Sequence, residues 1–222
     1  MPNPLKANIL TEILPLALIL LSGGLSLYFY QNFPEQVVTH WNIAGEPDGY
    51  SGKTFAAFFF PIFILIIYLV MLFIPNIDPH QNRYQEFSRV YHIIKALIIT
   101  FLVLIYIYIG LAGLGLNIPI NQIMPGSIGL LLMIFGYYLP KIKPNWFLGI
   151  RTPWTLSSEN TWAKTHILGG KIFLVGGLLI TTLSFIRLTD DLIIMMFFTA
   201  IIFMAIIPVV YSYWIYRQEK KS

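Results

Sequence analysis

The chain has 222 residues, of which 57% are hydrophobic and only 11% are charged. Roughly a quarter of the residues of a soluble domain are charged, so this composition excludes an ordinary soluble protein and indicates a membrane protein. There is no cysteine, which excludes both a disulfide framework and a cysteine zinc site.

Six apolar segments are long enough to cross a membrane. A bilayer core of about 30 Å needs about 20 apolar helical residues, and the candidate spans are 10–30, 54–74, 90–112, 122–139, 169–187 and 192–214. Each is predicted to be a helix, because lipid cannot satisfy free backbone groups. The first lacks a small-residue cleavage pattern, so we interpret it as a retained anchor rather than a signal peptide.

The basic residues predict which way the chain crosses the membrane. If the segments between the spans alternate sides, all of the 14 basic residues except Lys53 and Arg187 fall on one side. This set includes Lys95, which we place with Arg83 and Arg89 around the link between the second and third spans. An excess of Lys and Arg marks the cytoplasmic side, so both termini are predicted to be cytoplasmic. Topology and anionic lipid then explain the formal charge of +4, and we expect no direct binding of nucleic acid.

These patterns predict an all-α, multi-pass protein of the cell membrane. We expect one domain over residues 1–222, with six transmembrane helices, a structured outer loop (31–53) and a structured inner loop (140–168). No Asp, Glu, Lys or Arg lies near the middle of a span, which argues against a proton-coupled transporter or pump. Glycines seven residues apart in the fourth and fifth spans predict close packing of helices: Gly129, Gly136, Gly169, Gly170, Gly176 and Gly177.

The outer loop contains the stretch PEQVVTHWNIAGEPDGYSGK. Its β-branched and aromatic residues favour an extended segment, and Pro47-Asp48-Gly49 predicts a tight turn after it. Trp41 and Tyr50 are expected at the level of the lipid headgroups. We expect five polar side chains to converge here: His40, Asn42, Glu46, Asp48 and Lys53.

This polar cluster has three interpretations. In the first interpretation, the cluster is a recognition surface. In the second, its polar groups form hydrogen bonds to the backbone of the loop itself. The third interpretation is a metal site that uses His40, Glu46 and Asp48, with Asp190 or Asp191 from the last outer turn. The spacing matches no known ligand signature, so no metal is predicted.

The inner loop mixes aromatic side chains with one arginine. Pro153 keeps Thr152 out of the helical region, which predicts a fixed non-helical segment. Ser157 or Ser158 is predicted to cap a helix that begins near Glu159 and leads into the fifth span.

Two interpretations of this loop stay open. Trp162 and His166 are four residues apart, so they lie on one face of the helix. In the first interpretation, the loop is an interfacial segment, with tryptophans at the headgroups and Arg151 on lipid phosphate. Alternatively it is a docking site for a cytoplasmic partner or a lipid-derived ligand, since aromatic residues beside an arginine are typical of interaction hot spots.

Enzyme chemistry finds little support in the sequence. There is no cysteine nucleophile, no Gly-x-Ser-x-Gly, no phosphate-binding glycine loop and no His-Glu-x-x-His. His40 and His166 are predicted on opposite sides of the membrane, so they cannot share a site. We therefore expect no catalytic residue, no metal and no cofactor.

Both loops resemble those of the SdpI family of bacterial membrane proteins, which is named for an immunity protein against a secreted killing peptide. Roughly residues 10–60 are similar to the N-terminal domain of unknown function that accompanies many such proteins, and the matching residues are Pro34, His40, Trp41, Asn42, Gly45, Asp48, Gly49 and Lys53. Roughly residues 125–210 are similar to the C-terminal SdpI region, and the matching residues are Pro144, Asn145, Gly149, Arg151, Thr152, Pro153, Trp154, Thr155, Leu156, Trp162, Thr165, His166 and Gly170.

The resemblance implies an immunity and signal-transducing protein, with a secreted peptide toxin as its outer partner, a transcriptional repressor as its inner partner and lipid around it. The predicted outer recognition loop consists of His40, Trp41, Asn42, Gly45, Asp48, Gly49 and Lys53. The predicted inner coupling loop consists of Asn145, Gly149, Arg151, Thr152, Pro153, Trp154, Trp162 and His166. Two alternatives stay open: a small transporter or channel, and a membrane-embedded enzyme on lipid or cell-wall precursor with His40 and Asp48 as acid/base groups.

Overall fold

The computed structural model describes residue 5 and residues 8–42, 44–186 and 190–221, of which 190, 191, 193 and 194 are described by their backbone alone. The helices in this part of the chain are α1 (Ile9–Asn32), α2 (Lys53–Ile77), α3 (Ser88–Gly113), α4 (Ile120–Tyr138), a short α5 (Pro153–Ser157), α6 (Glu159–Ser184) and α7 (Asp190–Glu219). Among the described residues, six helices are long and apolar enough to cross a membrane. The prediction of an all-α, multi-span membrane protein is therefore confirmed.

The helix ends follow from local sequence signals. The side chain of Ser158 accepts a hydrogen bond of 3.1 Å from the amide of Thr161, so α6 begins at Glu159, as predicted. Two 3-10 segments, Gln81–Phe87 and Leu139–Lys141, adjoin α3 and α4. The last outer turn was predicted at 188–191; residues 188 and 189 lie outside the described part of the chain, and α7 begins at Asp190.

The chain divides into two compact units. The hairpin unit comprises residues 7–72 and 95–124, and the inner-loop unit comprises residues 1–6, 73–94 and 125–222. Helices α2, α3 and α4 each contribute one end to each unit. Each unit is described by itself below, and the organisation of the chain as a single domain stays a prediction.

The hairpin unit has an apolar core that joins α1, α2 and α3 to strand β1 (Gln36–Trp41). The ring of Phe29 meets the ring of Tyr106 edge-on at 5.4 Å. The hydroxyl of Tyr106 donates a hydrogen bond of 2.7 Å to the carbonyl of Ala57. Val37 on β1 is fully buried in the same core, against Gly113. The strand is therefore held on the helices rather than free in solvent.

Lys95 is buried, unlike Arg83 and Arg89, with which the sequence groups it around the link between the second and third spans. It lies inside α3 and is 1% exposed. Its Nζ atom is 2.6 Å from Oε1 of Glu12 on α1. The ion pair removes both charges from lipid, and hydropathy alone does not show which charged residues of a span are paired.

The inner-loop unit confirms the predicted packing role of the glycines. A Cβ atom on Gly177 would lie 2.5 Å from the carbonyl oxygen of Gly129, and one on Gly136 would lie 2.8 Å from that of Gly170. Helices α4 and α6 therefore approach through their backbones, as small residues permit.

Candidate functional site

The outer loop forms an antiparallel β-hairpin of β1 and β2 (Pro47–Gly52), hereafter the outer hairpin. Its turn includes Asn42 and residues 44–46, because the amide of Asn42 donates to the carbonyl of Glu46 at 2.9 Å and Gly45 adopts a positive φ of 82°. The prediction of a turn at Pro47-Asp48-Gly49 is therefore wrong. Pro47 instead opens β2, a position where a strand tolerates its missing N–H.

Four of the five predicted polar side chains of the outer hairpin form two separate pairs. Nδ1 of His40 lies 2.5 Å from Oδ1 of Asp48, and their side chains are 72% and 42% exposed. Nδ2 of Asn42 donates to Oε2 of Glu46 at 2.9 Å. The backbone amide of Glu46 donates to Oδ1 of Asn42 at 2.9 Å, which closes the turn.

The strand pairing explains the glycine beside His40. His40 pairs with Gly49 at an irregularity in the register of the two strands. A Cβ atom on Gly49 would lie 2.8 Å from Cβ of His40. Gly49 therefore leaves the space in which His40 reaches Asp48. Trp41, half-buried, follows in the register opposite Pro47.

Lys53 does not join the other polar side chains, contrary to the predicted convergence of five residues. It lies at the base of the outer hairpin, where its Nζ atom is 2.7 Å from Oε1 of Glu35. Its backbone amide also donates to the carbonyl of Glu35 at 3.2 Å. Lys53 therefore joins the two ends of the outer hairpin where α2 begins.

The described residues contain no group of three or more His, Asp or Glu side chains close enough to hold a metal ion. The third candidate ligand, Glu46, is bonded to Asn42. The side chains of Asp190 and Asp191, which the metal interpretation also uses, lie outside the described part of the chain.

In the inner loop, Asn145 organises the backbone. It is fully buried. Its Oδ1 atom accepts from the amides of Phe147 (2.9 Å) and Leu148 (2.6 Å). Its Nδ2 atom donates to the carbonyls of Lys143 (2.8 Å) and Leu148 (3.0 Å). Four hydrogen bonds from one side chain thus fix residues 143–148 in a single conformation.

The buried carboxylate of Asp78 also holds this loop in place. Oδ2 of Asp78 accepts from the amide of Trp146 at 2.9 Å and from the hydroxyl of Tyr84 at 2.8 Å. Its Oδ1 atom accepts from the amide of His80 at 2.7 Å. Sequence reasoning missed Asp78 and Tyr84. The available signal was Asp78 itself, one of only 10 acidic residues, directly after an apolar span.

Gly149, Trp162 and His166 pack tightly against one another. The Ile150 amide donates to Nε2 of His166 at 3.1 Å, so Nδ1 carries the proton and donates to the carbonyl of Trp162 at 2.8 Å. The two rings stack with centroids 4.1 Å apart. Gly149 has a positive φ of 105°, and its α-carbon faces both rings with no room for a side chain. The predicted alignment of Trp162 and His166 on one helix face is confirmed.

The segment around Pro153 is only partly non-helical. Thr152 is extended, as predicted, but its hydroxyl caps α5 by accepting from the amide of Thr155 at 3.1 Å. Pro153 occupies the first turn of α5, where its missing N–H costs nothing. The prediction of a wholly non-helical segment is therefore wrong after Thr152. The Thr152 hydroxyl also lies 3.0 Å from Oγ of Ser212 on α7.

Arg151 is exposed and makes a hydrogen bond to the backbone. Its Nη1 atom donates to the carbonyl of Trp146 at 2.6 Å. The Trp146 side chain is 48% exposed, whereas Trp154 packs against Tyr213 with ring centroids 5.0 Å apart. Arg151 and Trp146 therefore present a charge and an apolar surface together.

The beginning of α6 is tied to two other elements of the inner-loop unit. Glu159 forms an ion pair with Arg83 in the 3-10 segment before α3. Glu219 at the end of α7 accepts from Ser158 at 2.6 Å and from Asn160. These contacts hold the inner loop between several elements of the unit.

Comparison with known proteins agrees with both regions of resemblance. Residues 141–212 match the SdpI/YfhL protein family, and residues 17–65 match a domain of unknown function, DUF1648. The chain is 27% identical to "Immunity protein SdpI" of Bacillus subtilis (strain 168) over 218 residues, which cover 98% of this chain and 100% of that protein. No solved structure matches the chain. The region that matches the SdpI/YfhL protein family thus covers most of the inner loop and α5 to α7, in a chain that is a multi-pass membrane protein.

Proposed function

We propose that this protein is a non-enzymatic membrane immunity protein that confers resistance to a secreted antimicrobial peptide. The observation that carries the proposal is the similarity to an immunity protein along nearly the whole of both chains, across both loops and all six spans. A shared region limited to the spans would support only a common membrane fold.

The outer hairpin is the proposed recognition surface. His40 and Asp48 present a polar pair to solvent at the end of a hairpin whose base is fixed by buried Val37 and by the Lys53–Glu35 pair. A surface that is ordered before binding loses less conformational entropy when a peptide binds. The paired side chains offer both a donor and an acceptor to a peptide backbone.

The inner loop is the proposed coupling element. Its backbone is fixed by buried Asn145 and Asp78, while Arg151 and Trp146 stay accessible. Accessible arginine and tryptophan side chains are the residue types that most often dominate protein interfaces. We propose that this surface engages a cytoplasmic transcriptional repressor when the outer hairpin has bound the peptide.

A killing assay tests the proposal in two arms. In the first, the protein is expressed in a Bacillus subtilis 168 derivative that lacks Immunity protein SdpI, and this strain is grown with its parent. In the second, the gene is deleted from its own host, and the deletion strain is exposed to culture supernatant of that host. We expect protection in at least one arm, and killing at the rate of unprotected cells in both arms would contradict the proposal.

Variants of the outer hairpin localise the effect. His40→Ala and Asp48→Ala should abolish protection at normal membrane abundance, because each removes one half of the exposed pair. Gly52→Ala lies on the same strand and would meet no atom within 4 Å, so it is the matched control. Full protection by both pair variants would return the loop to a purely structural role.

A further inference from the structure

Three ionisable side chains meet inside the hairpin unit, and neither proposed surface uses them. Glu12 of α1 accepts from Nζ of Lys95 on α3 at 2.6 Å through one carboxylate oxygen. Its other oxygen accepts from the hydroxyl of Tyr68 on α2 at 2.8 Å. All three residues are less than one-tenth exposed. We call Glu12, Tyr68 and Lys95 the polar triad.

The cost of burying these charges argues against a purely structural role. Taking an ion pair out of water is expensive, and apolar residues of similar size often hold helices together as well or better. Ionisable groups inside membrane proteins are accordingly rare and usually functional. The polar triad connects three helices through a single carboxylate, so a shift of any one helix changes its hydrogen bonds.

On one side, the polar triad is continuous with the outer hairpin. Tyr68 belongs to the same buried apolar cluster as Val37, which lies on β1. Phe29 of α1 stacks on Phe33, the residue that follows this helix, with ring centroids 5.1 Å apart within that cluster. Helices α1 and α2 also lead directly into and out of the outer hairpin. Displacement of β1 therefore acts on the two helices that carry Glu12 and Tyr68.

Helix α3, which carries Lys95, continues along the chain from the 3-10 segment Gln81–Phe87. Residues Gln81–Gly113 run as one helical stretch, because the 3-10 segment passes into α3 at Ser88 with helical backbone angles. That segment contains Arg83, which pairs with Glu159, and Tyr84, which donates to Asp78. Asp78 in turn accepts from the Trp146 amide of the inner loop.

We propose that the polar triad is the relay that couples the outer hairpin to the inner loop, with Lys95 passing helix displacement along α3. This inference rests on the proposed function for the use of the two surfaces. The relay itself is a property of the chain and can be tested without any toxin or repressor. A chain of packed and hydrogen-bonded groups shows a route, and only a measured coupling between its two ends establishes one.

The test perturbs one end and reads the other. The chain has no cysteine, so a single cysteine at exposed Gln85 in the 3-10 segment reports on that end of α3. Its labelling rate with a water-soluble maleimide is measured in inverted membrane vesicles. The perturbation is Gly49→Ala, whose Cβ atom would press on His40, and the matched control is Gly52→Ala, whose Cβ atom would meet nothing.

We expect Gly49→Ala to change the labelling rate by about fivefold or more, the lower end of typical coupling between sites, while Gly52→Ala leaves it unchanged. The effect should disappear in the Tyr68→Phe background, which keeps the ring and removes only the hydroxyl that bonds Glu12. It should also disappear with Glu12→Gln and Lys95→Met combined. Ser22→Ala, which removes a hydroxyl bonded within α1 alone, should preserve it.

Two outcomes overturn the relay. One is a labelling rate that Gly49→Ala does not change in the wild-type background. The other is a change of equal size with and without the Tyr68 hydroxyl, which would mean that coupling bypasses the polar triad. Because Tyr68→Phe preserves the packing volume, the test stands even where the charge variants fail to accumulate. A negative killing assay with a positive labelling result would refute the proposed function and leave the relay intact.

Discussion

Replacing Gly149 with alanine should destabilise the inner loop through two separate effects. The φ angle of Gly149 is +105°, which residues with a side chain rarely adopt. An added Cβ atom would also press on Nε2 of His166 and lie 3.3 Å from Cζ2 of Trp162. Both rings are buried, so neither can move aside without losing contacts.

The expected magnitude follows from these contacts. A side chain in a left-handed backbone conformation costs about 1–2 kcal/mol. Displacement of His166 breaks its hydrogen bond with the Ile150 amide, and an unsatisfied buried partner costs about 1–3 kcal/mol. Gly149→Ala should therefore lower the free energy of unfolding by about 2–5 kcal/mol.

Gly115 provides the control that separates the two effects. Its φ angle is +87°, but an added Cβ atom would meet nothing within 4 Å. Gly115→Ala should therefore lower the free energy of unfolding only through the strained backbone, by about 1–2 kcal/mol. Both variants are unfolded with sodium dodecyl sulfate in detergent solution and followed by circular dichroism. If Gly149→Ala lowers the free energy of unfolding no more than Gly115→Ala does, the packing of Gly149 against His166 does not stabilise the loop.

Three further predictions concern topology and the inner loop. A single cysteine at Ser51 should react with an impermeant maleimide on intact cells and one at Ser157 should not; labelling at Ser157 from outside would reverse the assigned sides. Arg151→Lys should abolish retention of a tagged repressor in the membrane pellet at unchanged abundance, because lysine lacks the planar fork of arginine, and wild-type retention would make the loop a lipid anchor. Asn145→Ala removes four hydrogen bonds of a buried side chain and should lower the free energy of unfolding by about 2–5 kcal/mol in the same titration; a loss below about 1 kcal/mol would contradict its organising role.

Periodic and compositional features were predictable from the sequence. Hydropathy identifies spans because lipid imposes one requirement on every residue of a helix that crosses it. Glycines seven residues apart indicate close helix packing, and α4 and α6 do approach at Gly129 and Gly136. Ser158 was recognisable as a cap because capping depends on a few neighbouring residues only. Each of these signals is local in the chain.

Pairings between distant residues were not predictable. Glu12 and Lys95 are 83 positions apart, and Asp78 and Trp146 are 68 apart. Neither pair leaves a local trace, because any acidic residue near the end of a span could equally face the headgroups. The outer turn was misplaced for a related reason. Pro47-Asp48-Gly49 carries a strong turn signal, but the side-chain bonds of Asn42 close an earlier turn and make those residues a strand.

The two loops use their polar side chains in opposite ways, and this decides which substitutions can report on function. In the outer hairpin, His40 and Asp48 are exposed and bonded mainly to each other, so their removal leaves the core at Val37 untouched. In the inner loop, buried residues such as Asn145 hold the backbone, so their loss alters the folding of the loop together with any function that it has. A loss of activity there identifies a contact surface only when the replaced side chain is accessible. Arg151, exposed and bonded to a single carbonyl, meets that condition.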